Sequence, residues 1–188
     1  MKLLSAGMVL FAVGHAFPAA AAGMRKRLIE RMGENAYKGA FALLILASVV
    51  MMVFGWKATA ATEAYVAPEW GRMVALVLAF AAAVLFFAPY MASSVRRFVR
   101  HPQLTGVALF GIGHLAAVGS VRSLVLFGGL AVWAMVEMPL LNRRDGIWEK
   151  PEAAPGVANL KLVLAGLGLY LLLLFTHEGL FGVTPLPS

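Results

Sequence analysis

The chain has no cysteine among its 188 residues, and only 13% of them are charged. Without cysteine there is no disulfide, no thiolate metal site and no C-x-x-C-H attachment of a c-type haem. The charge content is about half the ~25% usual for a soluble domain, and 61% of residues are hydrophobic against the usual ~45–50%. Acidic residues are scarcer than basic ones, nine against sixteen. The excess of +7 sits in short clusters between apolar runs, as in membrane proteins that fix their orientation with arginine and lysine. Nucleic acid is excluded as a partner on that distribution. A Walker loop, a G-x-G-x-x-G turn and an H-E-x-x-H zinc motif are also missing, which removes the common nucleotide and zinc-hydrolase classes.

What is present is a series of long apolar runs. A spanning helix needs ~20 mostly apolar residues. Lys2 and Arg25 enclose 22 uncharged positions, Lys38 and Lys57 enclose 18, Arg72 and Arg96 enclose 23, and Arg100 and Arg122 enclose 21. A fifth run from Ser123 to Asn142 is broken only by Glu137, and a sixth follows Lys161. The expected fold is all-α: one polytopic membrane bundle over residues 1–188 with six spans at about 3–22, 39–57, 73–95, 103–120, 123–142 and 160–179. The segment from Arg143 to Lys161, with two prolines and mixed charge, reads as a surface loop.

Loops after the first, third and fifth spans hold twelve of the sixteen basic residues, from Arg25 to Lys161. The other side holds Lys2, Lys57, Arg72 and Arg122. The positive-inside rule therefore puts both termini on the non-cytoplasmic side of the membrane. The opening "MKLLSAGMVLFAVGHAFPAAAAG" also has the shape of a signal peptide. The basic "RKRLIER" behind it opposes export, so the segment reads as a retained first span.

All four histidines lie in or beside a span, where an ionisable group is a functional-site hypothesis. His15 lies three residues past the centre of its span toward the cytoplasm, and His114 three past the centre of its own toward the outside. At ~1.5 Å rise per residue both fall within roughly 5 Å of the midplane. Two imidazoles on different helices at one depth suit the axial positions of a b-type haem, which needs no cysteine. Gly111 and Gly113 beside His114 would offer a flat cofactor a shallow wall. Spacing alone leaves a second reading open, in which each histidine hydrogen-bonds across helices that small residues bring together. His101 precedes Pro102 and reads as a helix start, or, with Arg97 and Arg100, as a receiver of haem carboxylates. Glu137 reads as an ion-pair partner near the inner end of span five, or as a proton-handling group, and His177 and Glu178 as a solvated outer pair. The four tryptophans read mostly as an interfacial belt.

Further features carry a family resemblance. "GHAF" in the first span, "ERMGENAYKGAFAL", "RHPQLTGVALFGIGHLAAVG" and "SLVLFGGLAVWAMVE" together resemble the NnrU family of bacterial membrane proteins over about Met1 to Arg144. The most specific element is R-H-P followed by a second histidine, matched by Arg100, His101, Pro102 and His114. The resemblance implies a b-type haem ligated by His15 and His114, with His101 in support. It also implies a role in nitrogen-oxide respiration beside a respiratory or nitric oxide reductase complex. A related branch is the 15-cis-zeta-carotene isomerase, which would imply a hydrophobic small-molecule substrate. That branch carries a cysteine three residues before the second histidine. Here the position is Gly111, so a Cys/His ligand exchange is closed to this chain. The remaining alternative is a small transporter with a histidine-lined path.

Overall fold

The computed structural model describes residues 1–186. Among them the long regular elements are all helices: α1 Lys2–Ala20, α2 Ala22–Met32, α3 Glu34–Lys57, α4 Gly71–Phe87, α5 Pro102–Ala117, α6 Val121–Asp145 and α7 Gly156–Phe181. Four of these, α1, α3, α6 and α7, are long and apolar enough to cross a membrane. Helices α4 and α5, with 17 and 16 residues, reach about 26 and 24 Å at 1.5 Å per residue, short of a ~30 Å hydrocarbon core.

Two boundaries differ from expectation for local reasons. The third run, expected to reach residue 95, stops at Phe87 because Pro89 has no N–H to bond the Leu85 carbonyl, which accepts instead from Ala88 at 3.3 Å. The chain then turns and makes a short 3-10 helix, Ser94–Arg97. The basic cluster after α1 is itself a helix, α2, with no buried residue. Gly33, at φ +84°, breaks it from α3 in a conformation that other residues avoid.

The helices pack as two antiparallel pairs, α1 with α3 and α4 with α5. Helix α6 lies between the pairs and touches both α1 and α5, while α7 packs on α4. Close approach is set by glycines. A Cβ on Gly7 would stand 2.9 Å from Met51 Cβ and Met52 N, and one on Gly166 would stand 2.5 Å from Val84 Cγ2. Small residues let helices meet closely where lipid leaves little hydrophobic drive between them. The buried apolar cluster is small, Leu4, Met8 and Met52, joined by Phe11, Trp56, Leu130 and Trp133. Val9, Val13, Leu43, Leu46, Val77 and Phe175 are all more than half exposed. Ser48, Ser123 and Glu137, by contrast, are buried. Apolar residues outside and polar ones within suit a lipid solvent.

Polar ties close one end of the bundle. Arg122 lies over the Trp56 ring at 4.3 Å and donates to the carbonyls of Thr59 at 2.9 Å and Trp56 at 3.3 Å. The N-terminal amine donates to Thr59 Oγ1 at 2.8 Å. Ser120 caps α6, its hydroxyl accepting from the Ser123 amide. At the other end, Asn159 Oδ1 accepts from the Ser94 amide at 2.7 Å.

Candidate functional site

His15 comes from α1, held against α3 by Gly14, whose added Cβ would stand 2.7 Å from Leu44 Cδ2. Its Nδ1–H donates to the Phe11 carbonyl, one turn back, at 3.0 Å. The ring sits 4.2 Å from Phe11, 5.0 Å from Trp133 and 5.8 Å from Phe41. His114 on α5 repeats the arrangement. Its Nδ1–H donates to the Phe110 carbonyl at 2.9 Å, with Phe110 4.1 Å away and Phe127 stacked at 4.4 Å and 25°. A carbonyl only accepts, so the neutral rings carry their proton on Nδ1 and present the Nε2 lone pair.

Helix α6 is the wall the two histidines share. Trp133 stands at its middle and meets His15, and Phe127 meets His114. Six residues separate them, about 9 Å of helix, in the same order along the bundle as the depths read from the sequence. Phe127 belongs to a π-helical turn, Leu124–Gly128, and also meets Trp56 at 5.7 Å and Phe110 at 5.7 Å. Single π turns recur at functional positions in helices. This one precedes Leu130, which packs with Trp133 against the Leu4 cluster.

No group of three or more His, Cys, Asp or Glu gathers among the described residues. A metal held by protein side chains alone usually takes at least three. A haem brings four nitrogens of its own and asks for one or two axial donors. The chain offers two imidazoles with aromatic neighbours against α6, each with its second nitrogen held by a backbone carbonyl. Such an outer hydrogen bond orients a metal-binding histidine.

Of the other expected residues, Arg97, Arg100 and His101 lie away from these two imidazoles. His101 is thirteen residues from His114, about 20 Å along α5. Its Nε2–H donates to Asn142 Oδ1 at 2.9 Å, and Arg100 donates to the Gly146 carbonyl at 2.8 Å. Together they pin the start of α5 to the end of α6. Arg97 closes the 3-10 helix. Gly111 faces α6, where an added Cβ would stand 3.0 Å from Ala131 Cβ, and Gly113 faces Ala75 and Leu78 of α4. Both glycines serve helix contacts. His177 Nδ1–H donates to the Val183 carbonyl at 2.8 Å at the end of α7.

Three side chains that matter here had no signal as site residues. Arg25 and Arg144 counted only toward orientation, and Tyr37 only as part of a stretch that carries the family resemblance. With Pro18 and Phe41 they line an open groove of about 460 Å³ where α1, α2, α3 and α6 meet. The Tyr37 hydroxyl is buried without a hydrogen-bond partner.

The fold and site define a polytopic helical protein of membrane character, with an imidazole from each helix pair set against one central helix. The chain belongs to the NnrU family, whose model, described as NnrU protein, matches residues 3–185. No curated protein and no solved structure matches it.

Proposed function

We propose that this NnrU-family protein is a six-span protein of the bacterial inner membrane that binds one b-type haem through His15 and His114. The observation that carries the reading is the matched pair of Nδ1–H···O=C bonds at 3.0 and 2.9 Å, which leave Nε2 of each imidazole free. Haem bound in this way would supply one-electron exchange, or a ligand position for a diatomic gas if one imidazole lets go. The chain's own part is to hold both rings by backbone carbonyls and to surround them with Phe11, Trp133, Phe110 and Phe127, which exclude water. With the family resemblance, this points to support of nitrogen-oxide respiration, in contact with a respiratory or nitric oxide reductase complex. Both termini lie on the non-cytoplasmic side in this reading. Carotenoid isomerisation has less behind it, because the thiol position of that branch is Gly111, packed against Ala131.

Purification in detergent from cells supplied with haem tests this. A Soret band that is lost or shifted in His15→Ala and in His114→Ala supports it. A colourless wild-type protein would refute it and favour a histidine-lined transport path.

A further inference from the structure

The groove lined by Pro18, Arg25, Tyr37, Phe41 and Arg144 lies one ring from His15: Phe41, on its wall, is 5.8 Å from the imidazole. Pro18 follows His15 by three residues, about 4.5 Å along the axis of α1. Its chemistry has two parts. Tyr37 and Phe41 stack with ring centroids 6.4 Å apart and form an aromatic side. Arg25, whose guanidinium lies 5.8 Å from the Tyr37 ring centroid, and Arg144 bring positive charge from two different helices. Arg144 is partly engaged, its Nε and Nη2 bound to the Asp145 carboxylate at 2.6 and 3.1 Å, which leaves Nη1 for another acceptor. The Tyr37 hydroxyl is buried and without a partner, and a buried donor in that state calls for an acceptor.

Aromatic walls with two guanidiniums and a hydroxyl suit a flat apolar molecule that carries carboxylates. We propose that this groove is the carboxylate end of the haem site, with Arg25 and Arg144 taking the carboxylates of a haem whose iron lies at His15. The inference rests on the haem reading above. It moves the anion-binding role away from Arg97 and Arg100. Arg100 is committed to the Gly146 carbonyl, and His101 beside it to Asn142. It also gives the Tyr37 hydroxyl an acceptor.

The test compares protohaem with its dimethyl ester, which keeps the macrocycle and iron but loses both charges. Each is loaded into haem-free protein in detergent, and the rate of loss to a haem scavenger is measured. Wild-type protein is expected to hold protohaem at least about 10-fold longer than the ester, the scale of one charge-assisted hydrogen bond. Arg25→Gln with Arg144→Gln together should erase that difference while leaving the Soret position set by the two histidines. Arg97→Gln should preserve it. Equal retention of acid and ester by wild type, or loss of the difference in Arg97→Gln but not in the double variant, overturns the assignment while haem binding stands. Failure of wild type to take up either compound overturns the haem reading and this one with it. The ester comparison needs no substitution, so poor folding of a variant does not blunt it.

Discussion

Gly111→Ala adds one methyl group where α5 meets α6. The new Cβ would stand 3.0 Å from Ala131 Cβ and 3.2 Å from Ala131 N, and closer still to the Phe127 carbonyl oxygen. Two of these three are backbone atoms of a helix, which have no rotamer to move to. The helices must separate, and with them His114 from Phe127. Overpacking of this kind costs about 1–3 kcal/mol. Alanine's better helix propensity returns up to about 1 kcal/mol. The balance is a loss of about 1–2 kcal/mol, a fall in Tm of about 2–8 °C at this chain length. Gly168→Ala is the control, because nothing lies within 4 Å of its added Cβ. That variant keeps the propensity gain alone and should melt at or a few degrees above the parent. Thermal unfolding in one detergent, followed by circular dichroism, reads both. A Gly111→Ala protein as stable as the Gly168→Ala protein would show that α5 and α6 do not pack at this spacing.

Arg122→Ala removes a cation–π contact and two hydrogen bonds to carbonyls at once, and should lower stability by about 2 kcal/mol in the same melt. His101→Ala should cost about 1 kcal/mol through the lost Asn142 bond, yet leave any Soret band where it was. A changed Soret band would place His101 at the iron. The absence of native cysteine makes topology simple to read. Lys57→Cys should react with an impermeant maleimide from the periplasmic side of whole cells, and Arg97→Cys only after permeabilisation. The reverse pattern would invert the bundle, and equal labelling would remove a span between them.

The helical runs were legible because a membrane asks for long apolar stretches, and little but charge interrupts them here. Their ends were less so. Pro89 shortens α4 by removing a backbone donor, which a hydropathy count does not register, and α2 takes its form from residues that look like a charged linker. His15 and His114 could be picked out because an imidazole deep in an apolar run has few reasons to be there. Their hydrogen bonds to Phe11 and Phe110 depend only on the residue four back and are local facts. The aromatic companions are not local. Trp133 stands at the middle of α6 as it does of the expected fifth run, but only the packing of α1 on α6 brings it against His15. Phe127 reaches His114 from a π turn that no composition rule marks. The groove of Arg25, Tyr37 and Arg144 draws on three helices, and only their packing brings those residues together. Gly111 and Gly113 show the converse: small residues beside a histidine suggest a cofactor wall, whereas here they seat neighbouring helices.

The most direct measurement is the iron coordination of the purified protein. Haem content per chain, with low-temperature electron paramagnetic resonance of the oxidised form, counts the haem and identifies its axial donors. One haem per chain with a low-spin bis-imidazole signal is predicted, giving way to a high-spin signal or to haem loss in both His15→Ala and His114→Ala. A bis-imidazole signal that survives either substitution, or no haem in protein from haem-supplied cells, would contradict the account.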